Sequence, residues 1–392
     1  MATILWLSDS PLTVTGYATI TWNILNRLAE QGHTCYAIGH NYMGQTIPRG
    51  LVLEDGTEMK FTILGGSTKP YAQDILTKYI EKYKPDVFGI LLDTFMTFPW
   101  LLSLDFAPAK TLFYFPSDGG GALPLGCEQI LQKMNKAVAM AKFGQRQCKS
   151  VHNLVTDYIP HAIDTKNYYP LPPEERKKIR QKWGIDDKFV VGVVARNQGR
   201  KMLDRTIKSF AMFAKDHQDA ILFMHTDPTD VASPFDLQRL IIRYNLQNRI
   251  VFTGMQFFHG FTYKDMNEVY NAMDVFYLTT SGEGFGIPTI EAMACKVPPI
   301  VTDYTTTQEL LIEDGVCGIP VPISAELTGS WNVERGIMDD KAGCEALKKL
   351  YDDPQLRKEL GEEGKKKVDK LYNWEKVGRD WDTLIKKMVD GQ

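Results

Sequence analysis

Short runs of aliphatic and β-branched residues alternate along the whole chain with stretches whose apolar positions recur every three or four residues. In the first part the runs are Ile4–Leu7, Cys35–Ile38, Val87–Leu91, Thr111–Phe115, Ala137–Ala139 and Leu154–Ile159. In the second they are Phe189–Val194, Ala220–His225, Ile250–Thr253, Val275–Leu278, Pro299–Val301 and Gly318–Pro320. Helix-length segments lie between most of them, such as Thr19–Gln31, Tyr71–Tyr83, Asp204–Lys215 and Phe235–Tyr244. The strand candidates are mostly apolar throughout, the pattern of parallel sheets covered by helices on both faces. The reading is therefore an α/β protein with two doubly wound parallel sheets.

The break between the two is predicted in Tyr168-Tyr169-Pro170-Leu171-Pro172-Pro173-Glu174-Glu175. Its three prolines oppose both helix and sheet, and the acidic pair signals a helix start. This divides the chain into a first domain over 1–170 and a second over 171–372. The last segment, Asn373–Met388, carries Trp374, Val377, Trp381, Leu384 and Ile385 at helical spacing. It predicts an amphipathic helix that packs on something already built.

A length of 392 residues fits two domains. A hydrophobic share of 44% with 24% charged residues excludes wholesale disorder. Lys+Arg 45 against Asp+Glu 48 leaves a net charge of −3, which argues against a protein that holds nucleic acid by neutralising phosphates. Residues 1–170 carry 14 basic and 14 acidic side chains, so the whole excess lies in the second domain. Six scattered cysteines without a C-x-x-C pair read as small core residues in a reducing compartment, with no zinc site or disulfide frame. The N-terminal run reads as a first strand rather than a signal peptide, and the apolar stretch Phe88–Leu104 is broken by Asp93 and Pro99. A cytoplasmic protein is expected. Lys133, Lys136, Lys142, Arg146 and Lys149 form a run of cations without an acid. It reads as a solvated helix face, with a phosphorylated acceptor or an anionic membrane surface as the alternative. Membrane contact is thus expected to be peripheral at most.

The most informative window is Ser281-Gly282-Glu283-Gly284-Phe285-Gly286-Ile287-Pro288-Thr289-Ile290-Glu291-Ala292-Met293-Ala294. It follows an apolar run and leads into a helix, with Pro288 suited to the first turn. Glycines at alternate positions let the backbone approach a ligand, and the helix start adds partial positive charge, together an anion site suited to phosphate. Glu283 and Glu291 bracket the loop, and a carboxylate beside a phosphate fits where it accepts hydrogen bonds from sugar hydroxyls. A plainer reading is a tight turn with Glu291 complementing a helix start. A dinucleotide site is disfavoured, because the first βα turn of each domain lacks G-x-G-x-x-G.

A second constellation, Arg196-Asn197-Gln198-Gly199-Arg200-Lys201, follows the first strand of the second domain. Cations at the carboxyl end of a parallel strand face the crevice where such sheets bind ligands. Arg196 offers a planar fork and Lys201 a point charge, a pair suited to a departing diphosphate. Read alone, the segment is a solvated basic turn; beside the glycine loop it reads as a phosphate site.

Together these features resemble the retaining glycosyltransferases of family four, which have the GT-B fold of two Rossmann-like domains facing a cleft. The resemblance covers nearly the whole chain. Its strongest part is Glu283-x7-Glu291, and it continues through Pro298-Pro299-Ile300-Val301-Thr302-Asp303 and Glu309-Leu310-Leu311. Val251-Phe252-Thr253-Gly254, Ile159-Pro160-His161-Ala162-Ile163-Asp164 and Asn373-Trp374-Glu375-Lys376-Val377 support it. The resemblance implies that Arg196 and Lys201 bind the donor diphosphate and that Glu291 holds the ribose. Glu283, with the amides of Phe285, Gly286 and Ile287, would contact the transferred sugar. Met255-Gln256-Phe257 would border the base, and the terminal helix, 373–392, would cross back to the first domain.

Two departures stand out. Relatives often present Gly-Gly in the first βα loop near the donor phosphates, whereas this chain has the single Gly16. Relatives also often place a histidine beside the sugar, where this chain reads Phe115-Pro116-Ser117-Asp118-Gly119-Gly120-Gly121. Asp118 is the ionisable substitute, or a turn residue before glycines. His161 reads as a packed interdomain residue, and His225 as a strand-end residue near the donor.

The resemblance thus implies transfer of a hexose from a UDP- or GDP-linked sugar to a hydroxyl acceptor, with retention. No metal and no separate cofactor are expected. The alternatives are a non-catalytic nucleotide-sugar-binding subunit and a GT-B epimerase.

Overall fold

The computed structural model describes residues 1–40, 42–53, 56–230, 233–254 and 260–391. It divides into two compact units: residues 1–117, 121–162 and 374–392 form the first, and residues 118–120 and 163–373 the second.

The first unit is built on seven parallel strands: β1 Thr3–Asp9, β2 Thr34–His40, β3 Thr62–Leu64, β4 Val87–Leu91, β5 Lys110–Phe115, β6 Lys136–Ala139 and β7 Asp157–Tyr158. Their order is β3-β2-β1-β4-β5-β6-β7, so the winding reverses between β1 and β4. All of β4 is buried, which is why its sequence is apolar without alternation. Thr15 caps the helix Gly16–Glu30 by accepting the Ala18 N–H at 3.1 Å.

The C-terminal helix Trp374–Asp390 belongs to this unit. It buries Trp374, Val377, Trp381, Leu384, Ile385 and Met388, one face at helical spacing. Trp381 meets Trp6 and Tyr114 edge-to-face, with ring centroids 5.6 and 4.8 Å apart. Beside it, His33 Nδ1 accepts the Ala2 N–H at 3.1 Å, so Nε2 carries the proton and donates to Asp382 at 2.9 Å.

The second unit has six parallel strands: β8 Phe189–Val194, β9 Ala220–His225, β10 Ile250–Phe252, β11 Val275–Leu278, β12 Pro299–Thr302 and β13 Ile319–Val321. Their order, β10-β9-β8-β11-β12-β13, reverses between β8 and β11. An antiparallel hairpin, β14 Ile323–Thr328 and β15 Glu334–Met338, stands apart from this sheet.

Several expectations need correction. The units exchange between Ala162 and Ile163, ahead of the proline run. That run lies wholly in the second unit because the helix Tyr263–Asn271 holds its backbone. Tyr169 N–H donates to Asn267 Oδ1 at 3.1 Å, and Leu171 N–H to Asn271 Oδ1 at 2.8 Å. The expected strand Leu154–Ile159 pairs over two residues only, and the helix expected from Tyr71 begins at Leu76. β3 and the hairpin correspond to none of the expected strands. Of the cation run, Lys133, Arg146 and Lys149 are exposed; Lys133 Nζ also donates to the carbonyls of Leu102 and Leu104 at 2.6 and 2.8 Å, and Lys136, on β6, pairs with Asp157 at 3.3 Å.

Candidate active site

In open parallel sheets, loops at the carboxyl ends of strands flanking a winding reversal splay apart and leave a crevice. In the second unit those loops follow β8 and β11. The loop after β8 runs through Arg196 and a 3-10 turn, Gly199–Lys201, into the helix Leu203–Ala214. The loop after β11 runs through the glycines into the helix Ile287–Ala294, with Pro288 in its first turn.

Short side chains knit the two loops together. The Arg200 carbonyl accepts from Ser281 N–H at 2.6 Å, Ser281 Oγ at 3.1 Å and Thr280 Oγ1 at 3.2 Å. Thr279 Oγ1 donates to the Met202 carbonyl at 2.9 Å. The backbone of Glu283 is pinned in turn, its N–H donating to Thr305 Oγ1 at 3.0 Å and its carbonyl accepting from the same hydroxyl at 3.1 Å.

This scaffold places Glu283 between two cations. Lys201 Nζ lies 2.5 Å from Oε1 and Arg200 Nη1 2.8 Å from Oε2. The Lys201 and Glu283 side chains are only 9% and 8% exposed, so their charges are little screened by water. Burial alone would raise the Glu283 carboxyl, but Arg200 and Lys201 outweigh it and hold it at about 2. Burial, aided by repulsion from Arg200, pulls the Lys201 ammonium down to about 8 against the attraction of Glu283.

Asp118 joins the same cluster, because the segment 118–120 belongs to the second unit. Its Oδ2 lies 3.7 Å from Arg200 Nε, and its Oδ1 3.1 Å from Arg335 Nη2 on β15. The side chains thus alternate in sign: Arg335, Asp118, Arg200, Glu283, Lys201. Three cations against two anions leave one positive charge, suited to an anionic ligand. Gly282 is required where the loop passes under this segment, since a Cβ there would collide with the Asp118 carbonyl oxygen.

The other expected residues stand outside the cluster. Arg196, 38% exposed in its side chain, pairs through Nε with Asp230 at 3.2 Å. Glu291 accepts the Tyr270 hydroxyl at 2.6 Å and a bond from Tyr168. Burial raises its carboxyl above the ordinary value, and the two tyrosines oppose the shift. Phe285, Gly286 and Ile287 form the start of the helix Ile287–Ala294, with Gly286 in the left-handed region at φ +106°. Gly16 lies in the first unit, after β1. Met255 lies outside the described residues.

His225 ends β9, where Thr253 Oγ1 lies 2.9 Å from Nδ1 and burial pulls the imidazole down to about 4. His161 packs inside the first unit, 2.7 Å from the Tyr114 hydroxyl, and burial lowers it to about 3.

Sequence reasoning passed over Arg200 and Arg335. Arg200 adjoins Lys201 and was visible as a second cation in the same turn. Arg335 has no local signal, since its partner is 217 positions away. The D-x-D spacing of Asp380-Trp381-Asp382 was also passed over. On the terminal helix Asp380 pairs with Lys376 at 2.6 Å and Asp382 with Lys386 and His33 at 2.8 and 2.9 Å. Among the described residues no three His, Cys, Asp or Glu side chains converge as metal ligands. Nor is any described helix long and apolar enough to cross a membrane.

Two Rossmann-like units with parallel sheets define the GT-B class, and solved structures of that class superpose on the whole chain. Sucrose-phosphate synthase from Thermosynechococcus elongatus matches with a TM-score of 0.79 at 17% identity, covering 100% of both chains. Anabaena HepE, solved in complex with UDP and glucose, matches with a TM-score of 0.73 at 14% identity over 99% of this chain and 100% of its own. At such identities the likeness concerns the fold. Residues 175–367, most of the second unit, match the family model described as glycosyl transferases group 1.

Among curated relatives, mannosylfructose-phosphate synthase of Agrobacterium fabrum is 31% identical over 150 residues, 37% of this chain and 32% of its own length. A GDP-mannose-dependent phosphatidylinositol monomannoside mannosyltransferase of Corynebacterium glutamicum is 28% identical over 281 residues, 66% of this chain and 65% of its own. The matched part of the chain thus spans less than two thirds of the length of these relatives.

Proposed function

We propose that the protein transfers a hexose from a nucleotide diphosphate sugar to a hydroxyl acceptor, with retention and without a metal. The observation that carries this reading is the buried Lys201–Glu283–Arg200 cluster at the β8/β11 reversal of a group 1 glycosyltransferase unit. A compact buried lysine beside a forked guanidinium suits a diphosphate whose charge grows as it leaves. Glu283, ionised at neutral pH, accepts hydrogen bonds from sugar hydroxyls and positions the ring. The bond between the anomeric carbon and the phosphate oxygen breaks as the acceptor oxygen bonds to the same face of that carbon. The acceptor's proton passes to the departing phosphate oxygen. A relative that is GDP-mannose-dependent, and a fold neighbour solved with UDP, support a GDP- or UDP-linked donor. The buried, unpaired cysteines Cys35, Cys127, Cys148, Cys295 and Cys317 suit a reducing, cytoplasmic setting.

The test is a thermal-shift panel of UDP, GDP, ADP and their sugar conjugates on wild type, Arg196→Ala and Glu291→Ala, followed by a nucleoside diphosphate release assay. A nucleotide at 100 times its dissociation constant stabilises the fold by ~2.7 kcal/mol, a clear shift. One nucleotide family that shifts wild type but neither variant is the expected result. Arg196→Ala should also lower donor turnover by about 100-fold, the scale of one lost oxyanion donor. No shift with any nucleotide would refute the reading. Release of a different sugar nucleotide without acceptor would indicate an epimerase, and binding without any turnover a non-catalytic subunit.

A further inference from the structure

The hairpin β14–β15 has no place in the parallel sheet, yet one edge of β15 lies against the site. Glu334 and Gly120 exchange backbone hydrogen bonds at 2.9 and 3.3 Å, and Gly336 N–H donates to the Ser281 carbonyl at 3.1 Å. Between those two backbone anchors Arg335 extends its guanidinium to Asp118. One Nη donates to the Asp118 carbonyl oxygen, and the other lies 3.1 Å from the carboxylate Oδ1. A fork that grips backbone and side chain of one residue fixes both its position and its rotamer.

The consequence for Asp118 is specific. Its Oδ2 lies 3.7 Å from Arg200 Nε, an ion-pair separation longer than a hydrogen bond, and a third of the side chain (33%) stays exposed. That oxygen therefore keeps lone pairs for an incoming hydroxyl. Each Glu283 oxygen is already bonded to one cation and keeps one further lone pair for the sugar.

Resting on the transferase reading above, we propose that Arg335 is a positioning residue for transfer. It clamps Asp118 over the Gly282 turn so that the free carboxylate oxygen accepts hydrogen bonds from hydroxyls of the transferred sugar. Without the clamp Asp118 is free to compete with Glu283 for Arg200, and the sugar loses its alignment. The nucleotide's own anchors, Arg196 and Lys201, pair with Asp230 and Glu283 and keep their grip.

The test is a double-mutant cycle of Arg335→Ala and Asp118→Asn, read as donor turnover and as the thermal shift produced by the nucleoside diphosphate alone. Each single variant should lower kcat by about 10-fold or more, and the double variant should lie within about threefold of the worse single. Affinity for the nucleoside diphosphate should stay within about twofold of wild type, because the base and phosphate contacts are elsewhere. Arg335→Lys replaces Arg335→Ala if the latter fails to fold, since its stem packs alike but one ammonium cannot reproduce the planar fork. Additive losses, or a kcat for Arg335→Ala equal to wild type, would overturn the clamp while leaving the transferase reading intact. A wild-type protein that binds nucleotide but turns over no donor would remove the transferase reading, and the proposal with it.

Discussion

Glu283 is a buried carboxylate whose charge depends on two neighbours, and that dependence makes it measurable. Its carboxyl is held at about 2 in the folded chain against an ordinary 4.5. A carboxyl with a depressed folded value stabilises the fold above its unfolded value, and this contribution is lost as pH falls from near 4.5 toward 2. Urea midpoints of wild type should therefore fall more steeply over that window than those of Glu283→Gln. Lys201 has the opposite signature in ligand binding. Its ammonium, pulled to about 8, is charged below that value and neutral above it. Nucleoside diphosphate affinity should weaken as pH rises through 8, and Lys201→Arg should remove that slope, because a guanidinium stays protonated. Calorimetric titration at pH 7 and pH 9 checks both. Glu283 and Lys201 were legible in the sequence, since a glycine loop and a basic turn after apolar strands are local patterns. Their pairing was not, because the residues lie 82 positions apart and meet only through the β8–β11 contact.

Elements were read most reliably where one physical cause dominates. The strands β4, β8, β9 and β11 match their sequence limits because continuous burial demands continuous apolarity. The proline run misled because chain stiffness was taken for a domain break. Prolines end helices, but a stiff segment can still be held to one unit, as Asn267 and Asn271 hold this one. Asn271 is 4% exposed, and its Nδ2 also donates to the Tyr169 carbonyl at 3.0 Å. Asn271→Ala leaves both Leu171 N–H and the Tyr169 carbonyl without this partner, so it should cost about 2–4 kcal/mol in urea unfolding. A cost below about 0.5 kcal/mol would mean that the run is not held there. The hairpin escaped notice because β14, Ile323–Thr328, is largely exposed and alternates apolar with polar residues, so it carries no apolar run.

At the scale of the molecule, each unit owns a core, and the last helix enters the first of them. Trp381 is fully buried against Trp6 and Tyr114, and Trp381→Ala should cost about 3–5 kcal/mol. Hydrogen exchange should show the loss of protection in β1, β4 and β5, with β8, β9 and β11 unchanged. Equal deprotection of both sets would mean that the units unfold as one. By itself the sequence determined the two parallel sheets, the amphipathic terminal helix and the glutamate, lysine and glycine motifs, because burial period and loop chemistry are written in neighbouring residues. Only the tertiary structure decided that residues 118–120 join the second unit, that a hairpin arginine holds Asp118, and that Arg200 and Lys201 share Glu283. Such charge pairs form between loops far apart in the chain, and strand order, not local sequence, brings those loops together.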